Sequence, residues 1–322
     1  MTDHGDSLAR PSWLARMAEG SLLLLRILRA RPQFAIGYAI VFSMCAIALL
    51  APWIAPYDPV EASPAEFLQP PSVSHWLGTD AVGMDIFSRV IHAPRVDLTI
   101  ALAGTLISAI AGSVLGAWTG YFAQTQGIRS AASFATMRIA DVVQSFPVFV
   151  FAIALVASLG QSIQTVVLAI AFVNTPIYLR LMRSQVVTLR EMRFVEAARV
   201  AGLSHGRIIL RHIIPNAIGP ILAQFTVNIG WSVLLTAGLS FIGAGVRPPT
   251  PEWGSMIASG FQNVVTGQWW PSVMPGIALA LTVCGFTLVG ASIETMTSPA
   301  KMRRLSRDLA VKAAGNPLRG VA

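Results

Sequence analysis

Charge is what this sequence has least of: 12% of its 322 residues are Asp, Glu, Lys or Arg, about half the share of an ordinary soluble domain. A soluble globule needs more charge on its surface, and a disordered chain could not carry a 54% hydrophobic share. An integral membrane protein is therefore the leading class. Lysine is nearly missing. Lys301 and Lys312 are the only two, both near the C-terminus, so no G-x-x-x-x-G-K-[ST] nucleotide loop exists. The two cysteines, Cys45 and Cys284, stand alone in apolar runs and offer neither a disulfide framework nor a metal spacing. They read as inert packing residues at lipid depth. The five histidines at 4, 75, 92, 205 and 212 form no H-E-x-x-H pair. There is no G-x-S-x-G elbow and no nucleophile–base set, which argues against a membrane enzyme. Residues 1–31 carry five arginines and a short apolar run without an A-x-A site, so they read as a basic segment rather than a cleavable signal. Within it, Leu22, Leu23, Leu25, Ile27 and Leu28 with Arg26, Arg29 and Arg31 fit either a basic amphipathic helix on the bilayer surface or a simple flank of the first span.

What is present is apolar sequence in long runs. A bilayer core about 30 Å thick needs about 20 apolar residues in a helix. Six stretches meet that length: 34–54, 98–123, 134–159, 163–181, 217–246 and 273–293. The intervening 55–95 holds Asp58, Glu61, Glu66, Asp80 and Asp85 with six prolines, and reads as an extended, loop-rich segment outside the membrane. A second Pro/Trp-rich loop covers 247–270, where Trp253, Trp269 and Trp270 fit interfacial anchors. Gly104, Gly112, Gly116 and Gly120 recur at helical spacing in the second span, which suits close approach of another helix. Acids inside spans are scarce: Asp97 flanks the second, while Asp141 and Glu294 sit near span ends. Asp141 follows Arg138 at i,i+3, a local pair. This scarcity counts against a proton-coupled carrier, which needs ionisable groups at mid-depth. Asn174 and Pro176 in the fourth span fit a kink, a pathway lining or plain helix packing.

The net charge of +8 finds its explanation in where the basic residues fall. Residues 1–33, the link around Arg129 and Arg138, the stretch from Arg180 to Arg211, and the tail 294–322 together hold 20 of the 23. Only Arg89, Arg95 and Arg247 lie on the alternate side. Such a bias predicts both termini in the cytoplasm. Nucleic acid is not an expected partner, because the arginines are split among separate loops.

The long interruption at 182–215 is the most informative segment. It contains Glu196-Ala197-Ala198-Arg199-Val200-Ala201-Gly202 and, nine residues on, His212-Ile213-Ile214-Pro215. Residues 194–201 suit a short helix, Gly202 a C-terminal cap or tight turn, and Ser204 the N-cap of a second helix over 204–214. Pro215 then marks the start of the fifth span. The result is a helix–glycine–helix elbow.

This stretch resembles the EAA loop of ABC-importer permeases, E-A-A-x-x-x-G-x9-[I/L]-x-L-P, with His212 and Ile214 as variants. Three further stretches point the same way. His75-Trp76-Leu77-Gly78-Thr79-Asp80 followed by Gly83, Asp85, Ser88 and Arg89 is similar to the HWLGTD-x-x-G-x-D-x-x-SR signature. Leu239-Ser240-Phe241-Ile242-Gly243 with Pro248-Pro249-Thr250-Pro251-Glu252-Trp253-Gly254 resembles LSFLG…PPTPEWG. Ala51-Pro52 to Ala55-Pro56-Tyr57-Asp58-Pro59 resembles the end of the first span. Together they identify the chain as similar to the dipeptide/oligopeptide/nickel-type permeases, the DppC/OppC type, across about residues 31–293. Met84 and Pro94 depart from the usual Arg and small residue, and the family's terminal signature is eroded around 290–301.

The resemblance implies an all-α, six-span type I ABC-importer permease with no cofactor of its own, in a prokaryotic cytoplasmic (inner) membrane. It implies a homologous second permease, two cytosolic ABC ATPase subunits that consume ATP, an extracytoplasmic solute-binding protein and the lipid bilayer as partners. Glu196, Ala197, Ala198, Gly202 and Pro215 would form the ATPase-coupling loop. Gly78, Thr79, Asp80, Gly83, Asp85 and Arg89, with Pro249, Glu252, Trp253 and Gly254, would form two external motifs. The external segment is then either a gate or binding-protein contact, or an ordered cap packed on the spans. Peptides or a similar small solute are the implied cargo. A self-contained secondary transporter is the alternative.

Overall fold

A computed structural model describes residues 24–25, 27–123, 126–298, 301–304 and 307. The described chain is helical: α1 (Pro32–Ile54), a loop segment with one 3-10 turn (Pro64–Glu66), α2 (Ile86–Tyr121), α3 (Ile128–Ser145), α4 (Val148–Leu159), α5 (Ile163–Leu189), α6 (Arg193–Val200), α7 (His205–Ile208), a π turn (Ile209–Ile213), α8 (Ile214–Phe241), α9 (Trp253–Val264) and α10 (Trp270–Thr297). A single bridge, Thr79 to Asp85, is the extended pairing recorded among the described residues.

Several boundaries differ from the expectation, each for a local reason. The loop expected over 55–95 ends at residue 85, because Asp85 caps a helix: its Oδ2 accepts from the Ser88 N–H at 2.8 Å and the Ser88 hydroxyl at 2.7 Å. Pro94 lies inside that helix. Proline has no N–H for the Val90 carbonyl four residues back. The Trp253 indole N–H donates to that carbonyl instead, at 3.2 Å. The span expected over 134–159 is two helices meeting at 93°. Pro147 causes the break by holding Phe146 in extended backbone, at φ −81° and ψ 138°. The expected fourth span continues about two turns further, to Leu189. The expected fifth span stops at Phe241, where Gly243 turns the chain at φ +80°. The second loop, 247–270, contains α9.

The glycine stripe fixes how the bundle is built. A Cβ on Gly104, Gly112, Gly116 or Gly120 would lie 2.7 Å from Ile170 Cγ2, or 2.5, 2.4 and 2.9 Å from the carbonyls of Thr175, Leu179 and Arg183. No side chain fits there, so the α2 and α5 backbones touch. The facing residues advance in step, which makes α2 and α5 parallel. The chain leaves the C-terminal end of α2 and must return to the opposite end before α5 starts. The bent pair α3–α4 therefore makes one crossing. With the five unbroken apolar helices, it completes six.

The helix ends sort into two groups. Tyr121 and Phe122 at the C-terminal end of α2, Val195 and Ala198 of α6, and Ile208 and Ile213 before α8 share one core cluster. At the same end, Ile27 and Phe34 before and within α1 pack near Ala291 and Met296 of α10, and a Cβ on Gly219 would meet Thr297 at 2.9 Å. Arg129 stacks over the Phe122 ring at 5.1 Å. The basic segments thus gather at this end, and the 57–85 segment lies at the other. Of the proposed surface helix, Leu22, Leu23 and Arg26 fall outside the described residues, as does most of the tail; Leu25 is exposed, while Ile27 is fully buried in a cluster with residues of α10. Cys45 and Cys284 are both exposed on the flanks of α1 and α10.

Candidate functional site: an exposed elbow and a buried clasp

At the basic end, α6 is amphipathic by construction. Val195 and Ala198 are buried, while Glu196, Ala197 and Arg199 are exposed. Gly202 sits at φ +74°, a conformation that glycine adopts at little cost. The Leu203 N–H reaches back to the Ala198 carbonyl at 3.2 Å, and the Gly202 N–H to Arg199 at 3.0 Å, closing α6 in a glycine-terminated cap. The glycine turn is where the sequence places it. Ser204 holds the N-cap position of the second helix in extended backbone, and its carbonyl accepts from the Ile208 N–H at 3.0 Å, but its side chain makes no cap hydrogen bond; that helix is a short α turn followed by a π turn. Pro215 lies in the first turn of α8, where a missing N–H is harmless. Val200 is 85% exposed and Leu210 69%, so the outward side of the elbow presents apolar surface beside Glu196. Among the described residues the Glu196 carboxylate has no hydrogen-bond or ion-pair partner.

The inward side of the elbow is tied to the spans by groups the sequence reading treated only as topology. Arg190 is 6% exposed, and its Nη1 donates to the Tyr121 carbonyl at 3.2 Å. That places a cation on the C-terminal carbonyls of α2, where the helix dipole favours it. The Tyr121 hydroxyl and His205 Nδ1 are 2.9 Å apart, and the Arg199 guanidinium lies 5.6 Å from the Tyr121 ring. No sequence signal separates Arg190 from its exposed neighbours. Asp141, expected to make a local pair, bridges two helices: Arg138 donates to it at 3.1 Å and Arg180 at 2.8 Å.

At the other end, residues 57–85 fold into an ordered clasp packed on the helices. Asp80 Oδ1 accepts from the N–H groups of Val82 at 3.0 Å and Met84 at 2.9 Å. The Thr79 N–H donates to Gln69 at 3.0 Å, its hydroxyl donates to the Glu66 carbonyl, and its own carbonyl accepts from the Trp270 indole at 3.1 Å. Gly78 and Gly83 both sit at φ +79°, and a Cβ on Gly83 would fall 1.8 Å from the Ser63 carbonyl. Arg89 is buried and gathers three segments: it donates to the Pro59 carbonyl at 2.9 Å and the Pro249 carbonyl at 3.3 Å, and lies 3.7 Å from Asp80.

The second motif docks α9. Glu252 is fully buried, and its carboxylate accepts from the Gly254 N–H at 2.8 Å and the Ser255 N–H at 2.7 Å, capping the helix. Gly254 meets the Ala237 carbonyl at 2.3 Å from an imagined Cβ. Trp253 is fully buried and Trp270 nearly so, which corrects the expectation of interfacial anchors. Of the three, Trp269 alone is exposed. Asp97, expected to flank its span, is fully buried beside Glu252 and accepts from the Trp253 N–H at 3.2 Å.

His75 ties the clasp to the start of α2. Its Nδ1 is 2.9 Å from Asp85, its Nε2 is 3.5 Å from Glu66, and its ring stacks on Tyr57 at 4.8 Å. Burial pulls the imidazole pKa down, but the hydrogen bonds and charges of Asp85 and Glu66 outweigh it, leaving it above the ordinary histidine value. A folded-state pKa raised above the unfolded one gives stability that is complete below about pH 6.5 and is lost as pH rises through the folded value. Hydrogen exchange of the clasp amides is therefore expected to quicken, beyond its intrinsic pH dependence, as pH passes upward through that window. His75→Gln is expected to remove the excess. An unchanged excess in that variant would assign it to another group.

A family model described as binding-protein-dependent transport system inner membrane component matches residues 112–301. A second, the N-terminal TM domain of oligopeptide transport permease C, matches residues 23–71. The chain is 38% identical over 264 residues to the dipeptide transport system permease protein DppC of Alkalihalophilus pseudofirmus, covering 82% of this chain and 84% of that one. It is 37% identical over 299 residues to the probable D,D-dipeptide transport system permease protein DdpC of Escherichia coli, covering 93% and 97%. A methionine ABC transporter solved in inward-facing conformations aligns with a TM-score of 0.46 at 20% identity, over 62% of this chain and 94% of that one. The all-α membrane fold expected from the sequence stands among the described residues. The chain belongs to the family of binding-protein-dependent transport system inner membrane components.

Proposed function

We propose that this chain is the peptide-conducting permease subunit of an importer in the cytoplasmic membrane, paired with a homologous second permease. Two cytosolic ABC ATPase subunits bind its elbow, and an extracytoplasmic binding protein delivers cargo to the clasp end. The chain itself holds no ATPase site and no cofactor. Both termini lie in the cytoplasm, which agrees with the basic segments gathered at the elbow end. Named relatives that handle dipeptides support the cargo class.

The observation that carries this reading is the two-faced elbow: Val195 and Ala198 are locked to the ends of α2 and α8, while Glu196 stands exposed without a partner among the described residues. Glu196 accepts a charge-assisted hydrogen bond from the ATPase, and Ala197 permits close approach. Conformational free energy then passes from ATPase to helices because the ATPase binds two states of the elbow differently. Glu196→Lys tests this. Losing an interfacial charge pair costs about 2–5 kcal/mol, so ATPase co-purification with the membrane-inserted variant is expected to fall at least about tenfold. Wild-type recovery of the ATPase would sink the coupling role.

A further inference from the structure

The break between α3 and α4 opens a recess of about 310 Å³, walled by Gln144 and Phe146 at the break, Phe151 of α4, Asn174 and Ile177 of α5, and Trp231 of α8. This lies at the lower end of the volumes that hold small ligands. Two features mark it as more than a packing gap. A helix broken at membrane depth leaves backbone groups of α3 and α4 without helical partners, which is tolerated where the break is buried in protein or lines a cavity. Asn174 is 0% exposed; its amide N–H donates to the Ser232 hydroxyl at 3.2 Å, yet its Oδ1 has no donor. Buried amide oxygens are rarely left so. The recess also carries no titratable side chain. It offers two amides, an aromatic wall in which Phe146 and Phe151 lie 6.3 Å apart, and aliphatic surface.

We infer that this recess is a cargo subsite that takes the uncharged part of a peptide, one amide bond with its neighbouring side chain, as the solute crosses. The inference rests on the proposed peptide-permease function. Asn174 and Gln144 complement a peptide unit because each amide offers both a donor and an acceptor. The aromatic wall accepts the side chain, and the charged termini stay outside.

The test uses the whole complex in proteoliposomes, with an equimolar mixture of the standard dipeptides as the probe and mass spectrometry as the readout. Asn174→Leu keeps the bulk and removes the amide. Uptake is expected to fall at least tenfold while the complex still co-elutes. In a Cys45→Ser, Cys284→Ser background, Gln144→Cys is expected to react with maleimide at least fivefold more slowly when dipeptides are present during turnover. Ile139→Cys, 66% exposed on the same helix, is expected to react at one rate throughout. Uptake by Asn174→Leu within twofold of wild type, or no protection at Gln144→Cys, overturns the subsite and leaves the permease reading intact. A wild-type complex that takes up no dipeptide overturns both.

Discussion

Gly202→Pro is expected to abolish ATP-driven uptake while leaving the chain inserted in the membrane. Gly202 occupies φ +74°, and proline holds φ near about −65°. The substitution also removes the N–H that donates to the Arg199 carbonyl at 3.0 Å. Proline in an incompatible conformation costs about 3 kcal/mol or more, about a hundredfold in an equilibrium between docked and undocked elbow. The spans do not depend on this turn, since their contacts run through α2, α5, α8 and α10. Gly202→Ala is expected to be milder, because no atom lies within 4 Å of an added Cβ and only the left-handed backbone is penalised, by about 1–2 kcal/mol. Gly206→Ala has the same open space without the positive φ, and is expected to transport normally. Uptake across the three variants reads the series. Normal uptake by Gly202→Pro would mean the elbow does not carry the motion.

Trp253→Ala is expected to cost about 3–5 kcal/mol of stability, since Trp253 is fully buried in a cluster with Ala93, Leu98, Val233, Ala237 and Phe286. Trp253→Phe is the more diagnostic change. It keeps a smaller aromatic ring and removes the indole N–H that satisfies the Val90 carbonyl, an omission worth about 1–3 kcal/mol on top of the cost of the vacated volume, which is the same in any background. That carbonyl is free only because residue 94 is proline. In a Pro94→Ala background the new N–H pairs with Val90, and the cost of Trp253→Phe is expected to shrink. A double-mutant cycle by thermal unfolding in detergent measures the coupling. Equal losses in both backgrounds would show that the indole bond contributes nothing.

These two residues show what the sequence could and could not disclose. Gly202 was legible because a glycine after a short helix-forming stretch has few other uses, and the turn lies where the residues put it. Trp253 was not: tryptophan near a span end is as consistent with an interface as with a buried dock. The deciding fact is a carbonyl released by a proline 159 positions away in sequence. The number of crossings was readable from apolar runs, but the break at Pro147 was not, because hydropathy is blind to backbone geometry. The glycine stripe announced a close helix contact without naming α5 as its partner. Arg190 counted as one more topological charge until burial set it on the end of α2. Asp97 and His75 likewise acquired meaning only through residues that folding brings beside them.

On the proposed function, this chain moves its cargo only when an ATPase works on its elbow. Dipeptide uptake into proteoliposomes containing the chain, its partner permease, the ATPases and a loaded binding protein tests it most directly. Uptake is expected with ATP, none without it, and none from an imposed proton gradient alone. Uptake by this chain without ATP, driven by the gradient, would contradict it and favour a self-contained secondary transporter.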